Sequence, residues 1–262
     1  MSKRYLFSIL LIVFMVLCMS LKISALPRDE KTVLYMSFDK EPKGNVVQDE
    51  SGYGNDGNIV GAGVKWIRNG KYGGALEFDG ASKIEVPHSE SLNLGKEITL
   101  EIWFKTKIPQ KGRFFIYKVH IGAGRNYEWG IYLTSDSTAT SMYVVKPNDE
   151  VGFISVAGDY KDDSWHFLAG TYDGKSVKCF TDGKIQSVDW NGDIRTSEGA
   201  VVIGTWGTNF FSGTLDEARI CNVALKPDQL QSDFENGYKM LAVNSIGKLS
   251  TTWATIKTVR NF

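Results

Sequence analysis

From Thr32 onward, short apolar or alternating runs are separated by turn residues, and no stretch of helical period appears before residue 226. Strands are expected over Thr32 to Phe38, Ala75 to Asp79, Lys83 to Val86, Ile98 to Thr106, Phe114 to Lys118 and Glu128 to Leu133. Further strands are expected over Ser141 to Val145, Gly152 to Val156, His166 to Tyr172, Val177 to Thr181, Val201 to Gly204 and Gly213 to Ile220. So many short segments are enough for two packed sheets. Ile98 to Lys105 alternates strictly, which sends Ile98, Leu100, Ile102 and Phe104 to the core and leaves Trp103 on the more polar face, under a loop or facing a ligand. Asp173-Gly174 and Asp182-Gly183 tolerate positive φ and suit tight reversals, predicting a meander from about 166 to 189. Pro227 at a first helical turn and Gly237 at an end predict one short helix through Phe234. Beyond Lys239 the chain becomes polar, Thr-rich and basic, and residues 241–262 read as a disordered tail in preference to a docked final segment or an attachment signal.

Composition sharpens this picture. The 262 residues include 27 Gly but 6 Pro, with 14 Phe, 11 Tyr and 7 Trp, a balance that favours aromatic strands joined by glycine turns. The 30 basic and 30 acidic side chains cancel, so no global field would steer the protein to nucleic acid or acidic lipid. Lys3 and Arg4 precede the apolar run Tyr5 to Leu21 and the small-residue pattern Ile23-Ser24-Ala25, which reads as a signal peptide, residues 1–25, and a secreted, extracytoplasmic protein of the periplasm or cell surface. The rival is an uncleaved membrane anchor, since the run reaches the lower limit of ~17 residues for spanning a bilayer. Bulky Leu17 before Cys18 argues against a lipoprotein. Two cysteines then remain, Cys179 and Cys221, and both read as small apolar strand residues in preference to a disulfide pair.

A series of blocks carries a family resemblance over roughly residues 32 to 225. Leu34-Tyr35-Met36-Ser37-Phe38-Asp39 resembles the opening strand of laminin-G-like, concanavalin A-like lectin/glucanase domains, and Asp49 to Gly57 resembles their glycine loop. Lys71 to Gly80, Ile98 to Lys105, Trp165 to Gly174, Phe180 to Gly183 and Phe211 to Ile220 follow in the same order. Cys221, where an aromatic residue is expected, and the long aromatic stretch Trp206 to Phe211 depart from the pattern. The resemblance implies an all-β, two-sheet antiparallel jelly-roll sandwich, here over residues 26–240, of the kind that serves extracellular proteins as a recognition or adhesion unit. It does not imply one ligand, because a fold hosts many functions.

By motif position, the resemblance also implies a structural calcium ion held by Asp39, the Asp79-Gly80 turn and Asp216. Asp216 shares its phase with Ala218 and Ile220, so it is expected to point toward the core and to need a partner there. The alternative, left open, is that Asp216 accepts backbone N–H groups or pairs with Arg219 or a lysine. For the Asp49 to Gly57 loop, a turn held by the Asp49 and Asn55 side chains is preferred over a metal loop. Glycan recognition would draw on aromatic rings beside amides, and Trp129, Trp190, Trp206, Asn209 and Phe210 fall in loops or strand ends where rings could stack on sugars.

Catalysis finds little support. Glycoside hydrolysis needs two carboxylates about 5 to 10 Å apart. Glu97 and Glu101 share a strand face but would lie roughly 13 Å apart. His88, His120 and His166 are scattered, and no nucleophile elbow or phosphate loop occurs. The expectation is a non-catalytic module for a glycan, with a cell-surface protein as the alternative partner and a membrane only if the N-terminal segment stays attached. An unrecognised glycoside hydrolase is the remote alternative.

Overall fold

Nearly every expected strand forms, and the surplus comes from short pairing segments. The computed structural model describes residues 31–109 and 113–238, which lie within the unit Asp29–Lys239. The apolar N-terminal segment and the 241–262 tail fall outside the described residues, together with the expectations placed on them. Among the described residues, no helix is long and apolar enough to cross a membrane.

The strands are β1 (Thr32–Met36), β2 (Val46–Val47), β3 (Gly57–Val60), β4 (Lys65–Ile67), β5 (Ala75–Asp79), β6 (Lys83–Val86), β7 (Ile98–Lys105), β8 (Arg113–Val119) and β9 (Tyr127–Leu133). They continue as β10 (Ala139–Val145), β11 (Val151–Ala157), β12 (His166–Tyr172), β13 (Ser176–Thr181), β14 (Lys184–Asp189), β15 (Val201–Ile203), β16 (Thr205–Trp206), β17 (Asn209–Phe210) and β18 (Ser212–Cys221), and helix α1 (Pro227–Asn236) follows. The first sheet runs β14-β13-β12-β7-β18-β5-β4, with β1 also paired to β18; the second runs β11-β10-β9-β8-β15-β6-β3-β2; β16 and β17 form a separate hairpin. All pairings are antiparallel. This is the expected all-β sandwich with one C-terminal helix.

The core fills the space between the sheets. Ile98, Leu100, Ile102 and Phe104 of β7 meet Ile116, Ile131, Met142 and Val144 from the second sheet. Phe104 stacks on Phe115 at 4.4 Å, and Phe115 meets Phe211 edge-on at 5.3 Å, a geometry that adds to simple burial. At Gly170 the sheets approach so closely that a Cβ would lie 2.5 Å from the Met142 sulfur.

Part of the outer face of the first sheet is covered by the helix. Trp103, Phe167, Ala169, Phe180 and Cys221 form a second apolar cluster, covered by Leu225 and by Leu230 and Phe234 of α1. Phe234 stacks on Trp103 at 5.8 Å and the Lys71 ammonium sits 4.0 Å above the same indole, so Trp103 is covered, not offered to a ligand. Helix α1 starts at Pro227, where Gln229 Oε1 accepts the Lys226 backbone N–H, and Gly237 ends it at φ 70. Arg219 ties the helix to the sheet: its Nη1 donates to Glu101 at 2.9 Å and to Asp233 at 3.0 Å, its Nε donates to Thr32 Oγ1, and its guanidinium lies 3.5 Å over Tyr238. Burial outweighs the Arg219 charge and raises the Glu101 carboxyl to about 7.

Among the described residues, Cys179 and Cys221 form no disulfide. Cys179 faces the inter-sheet core and Cys221 the helix layer, so the first sheet separates the two thiols. The Asp49 to Gly57 loop is an internally bonded turn: Asp49 accepts the N–H groups of Tyr35, Ser51 and Asn55, and the Asn55 amide donates to Val33 O and Ser91 Oγ. Its carboxylate is thereby committed to holding the loop against β1.

Candidate functional site

The second sheet turns a different face outward. Register pairs Asn58 with Glu85, Glu85 with Val202, Val202 with Tyr117, Tyr117 with Gly130, Gly130 with Tyr143 and Tyr143 with Phe153. One row of side chains therefore crosses strands β3, β6, β15, β8, β9, β10 and β11, because directly opposed residues share a face. Gly130 interrupts the row: a Cβ there would lie 2.7 Å from Tyr117 Cβ and 2.8 Å from the Tyr143 hydroxyl. The Tyr143 ring uses that space to donate its hydroxyl to Trp129 O at 3.1 Å. Tyr127 and Tyr132 flank it, with ring centroids 4.9 and 6.1 Å away. Tyr143 and Tyr117 are buried beneath their neighbours, while Phe153 at the row's end is 59% exposed. A second row, Tyr132, Ser141 and Ser155, runs alongside, with the two serine hydroxyls bonded at 2.6 Å.

The hairpin β16–β17 borders this platform. Trp206 pairs with Asn209, and Thr205 Oγ1 donates to Asn209 O at 2.9 Å, which pins the turn around Gly207. The Trp206 indole approaches Tyr127 edge-on at 6.4 Å and is 39% exposed, with Asn209 and Phe210 half-buried beside it. Buried Arg195 fixes the Tyr127 end by donating Nε to Tyr127 O at 3.2 Å and by pairing with Asp149.

Not every expected ring belongs here. Trp129 is fully buried in the inter-sheet core, because it alternates in phase with Ile131 and Leu133 along β9 and pairs with core Val144 of β10. It has no face to offer a ligand. Trp190 packs against the core next to Tyr172, with Gly152 so near that a Cβ would lie 2.5 Å from the indole and the Lys146 ammonium 4.3 Å over its ring. The structure thus keeps Trp206, Asn209 and Phe210 together and removes Trp129 and Trp190. Tyr117, Tyr127, Tyr132, Tyr143 and Phe153 were not foreseen; the phase opposite to Ile131 and Met142 carried the signal for Tyr132 and Tyr143, while Tyr127 reaches this face through the register shift between Tyr117 and Val119.

The carboxylates expected at a cation divide in the same way. Asp216 lies opposite Trp103, on the helix side of the first sheet, and not toward the core. The cause is a bulge: Glu217 takes a left-handed φ of 55 and the register shifts between Asp216 and Arg219, so Ala218 and Ile220 regain the core phase while Asp216 does not. Asp216 Oδ2 accepts the N–H groups of Lys71 and Tyr72 at 2.8 and 3.0 Å, and its Oδ1 accepts that of Glu217. Asp39 Oδ1 accepts the Gly74 N–H from the same 69–74 turn. Asp79 instead pairs with Ser212, four residues along β18 from Asp216, about 13 Å in extended strand. Its side chain accepts the Ala81 N–H within its own turn. The turn that joins Asp39 to Asp216 is therefore 69–74, and Asp79 and Gly80 stand apart from it.

Burial is the main cause that raises the Asp216 carboxyl to about 7 and the Glu217 carboxyl to about 8, and nearby Asp39 raises both further. Free carboxyls ionise near pH 4 in an unfolded chain, so folding takes up protons between about 4 and 8 and stability falls as pH rises through that window. In metal-free protein, the melting temperature is expected to fall from pH 5 to pH 8, and Asp216→Asn combined with Glu217→Gln should flatten the curve. A parent melting temperature that holds level over this range would refute the assignment.

His166, His120, Glu97 and Glu101 all have partners within the fold. His166 bridges Asp182 and Asp162 at 2.7 and 3.0 Å, and His120 contacts buried Glu128 at 3.3 Å. Glu97 accepts the Ala224 N–H while Glu101 is bound to Arg219, so each of these two carboxylates is engaged by a different part of the fold. Among the described residues, no group of three or more His, Cys, Asp or Glu side chains is arranged to hold a metal ion.

Solved structures share this fold. Domain 4 of AbnA, a GH43 extracellular arabinanase from Geobacillus stearothermophilus solved in complex with arabinotriose, is 21% identical, with a TM-score of 0.61 over 78% of this chain and 98% of that domain. The binding domain of Botulinum neurotoxin DC, solved in complex with rat synaptotagmin II, is 15% identical, with a TM-score of 0.62 over 81% of this chain and 53% of that one. An asparagine-rich protein from Margaritifera margaritifera is 21% identical over 150 residues, 56% of this chain. The chain spans about half of the toxin binding domain and 22% of the Margaritifera protein. At these identities the solved structures speak for the fold alone. The family model of the concanavalin A-like lectin/glucanases superfamily matches residues 78–231, from β5 through the first turn of α1. The chain belongs to the concanavalin A-like lectin/glucanase superfamily.

Proposed function

We propose that this protein is a secreted, non-catalytic binding module that holds a glycan against the outer face of its second sheet. The observation that carries the reading is the inequality of the two outer faces. Helix α1 covers the middle of the first sheet's outer face, whereas the tyrosine row of the second sheet ends in exposed Phe153 and is bordered by exposed Trp206 of the β16–β17 hairpin. Aromatic rings stack on the apolar faces of sugars while hydroxyls and amides at the rim read their polar edges, and Ser141, Ser155 and Asn209 supply such groups. The arabinotriose complex of the arabinanase domain supports the same ligand class. Protein adhesion is the second reading, supported by the toxin domain's complex with synaptotagmin II and by the exposure of Phe153.

Calcium belongs to this proposal as a stiffener of the frame. Hard cations take carboxylate oxygens, and Asp39 and Asp216 would hold the ion beside the 69–74 turn. Glu217 stands next to them, and no basic side chain is among the groups that tune Asp216 and Glu217. The three amides already on Asp216 limit how many of its oxygens are free, so binding to the protein's own residues is to be read directly, by calcium-dependent melting.

The test is a glycan array probed with and without a calcium chelator, alongside Trp206→Ala. The substitution is expected to weaken glycan binding about tenfold, the scale of a lost aromatic contact. It should change the unfolding free energy by no more than about 1 kcal/mol, as befits a surface side chain. A blank array in both conditions would move the reading to a protein partner, and release of reducing sugar would overturn the non-catalytic assignment.

A further inference from the structure

The first sheet is sealed only where α1 lies, and beyond the helix its outer face carries a second row. Register places Lys65 beside Glu77, Glu77 beside Thr214 and Thr214 beside Lys105, across β4, β5, β18 and β7. The central strand contributes only the small Ser212 and Thr214 there, between the long side chains of Glu77 and Lys105, so the surface sinks into a depression of about 330 Å³. That volume lies within the range of small-molecule sites, about 300–1,000 Å³. Ile67 and Ile108 add aliphatic lining, and Lys107 and Asp163 complete the polar wall. Thr106 Oγ1 donates to Ser212 O at 2.9 Å and so anchors the segment that carries Lys107 and Ile108.

The polar groups here are underused. Lys105 reaches Asp163 only at 3.9 Å, beyond hydrogen-bond distance, and stands 5.9 Å from the Trp165 ring. The Glu77 carboxylate and the Thr214 hydroxyl have no side-chain partner among the described residues. Two ammonium groups and two carboxylates face one another across the depression, so a ligand of either charge meets repulsion as well as attraction. A neutral polyhydroxylated ring can accept from the lysines, donate to the carboxylates and rest its C–H face on the isoleucines.

We propose that this depression is a second saccharide subsite, selective for short neutral sugars and independent of the aromatic platform on the opposite sheet. The experiment is a titration of ¹⁵N-labelled protein with neutral arabinotriose and maltotriose, acidic trigalacturonate and the amino-sugar trimer of glucosamine, followed by amide shifts. At least one neutral trimer is expected to move the amides of Glu77, Lys105, Asp163 and Thr214, with both charged trimers weaker there. Glu77→Ala combined with Thr214→Val should weaken that response about tenfold, the worth of one lost hydrogen bond to a charged group. Both positions lie on an outer face, and an unchanged melting temperature would certify the fold of the variant. Still amides in this depression with every trimer, preference for a charged trimer, or full binding by the double variant would each overturn the proposal. The subsite is read at its own amides, so silence at Trp206 and Phe153 would sink the platform without touching it, and the reverse pattern would do the opposite.

Discussion

Arg219→Ala is expected to destabilise the fold by about 3–5 kcal/mol, the cost of leaving buried charges without their partner. Arg219 is the cation that bridges Glu101 of β7 and Asp233 of α1, and Glu101 is buried with one carboxylate oxygen already lacking a hydrogen bond among the described residues. Removing the guanidinium leaves both carboxylates facing each other and also takes away the plane that packs on Tyr238. The loss should grow with pH. Glu101 holds its proton to about 7 in the folded state but to about 4.5 when unfolded, and without Arg219 that gap widens, so the variant sheds stability as pH rises through the window. Urea denaturation at pH 5 and pH 8 measures both statements. A loss under about 1 kcal/mol at both values would show that the clamp is ornamental to stability. Glu101→Leu in the same background should recover part of the loss, since an apolar side chain needs no partner.

The second large effect is expected at Trp129. Truncating a fully buried tryptophan to alanine costs about 3–5 kcal/mol through lost burial and the cavity left behind. Trp129→Phe should cost much less, because it keeps most of the apolar volume and removes a buried indole N–H that has no acceptor among the described residues. Thermal melts of the two variants beside Trp206→Ala would separate core from surface. Were Trp129→Ala to melt with the parent while losing ligand, Trp129 would be a contact residue and the core assignment would fail.

These two residues also show how far the sequence could be read. Arg219 stood in a strand block, but its partners come from β1, β7 and α1, which are distant along the chain, so only the folded arrangement could name them. For Trp129 the alternation with Ile131 and Leu133 already pointed inward, whereas a strand irregularity turns Tyr127, which shares that phase, to the outer face. The same physics misplaced Asp216: a period of two predicts its face only while the strand stays regular, and the left-handed residue Glu217 resets the count. Asp79 was assigned to the cation by motif position, whereas sheet register sets it well away along β18.

By itself the sequence determined the two-sheet architecture, the meander from β12 to β14, the core face of β7, the helix with its Pro227 and Gly237 boundaries and the self-bonded Asp49 loop. Each of these rests on local alternation, turn chemistry or capping, which neighbouring residues dictate. Tertiary structure alone decided that α1 covers the Trp103 side of the first sheet, that Tyr117, Gly130, Tyr143 and Phe153 fall in one row, and that Asp39 and Asp216 both accept N–H groups of the 69–74 turn. Those outcomes depend on register and on packing between segments far apart in the chain, and no local preference encodes them.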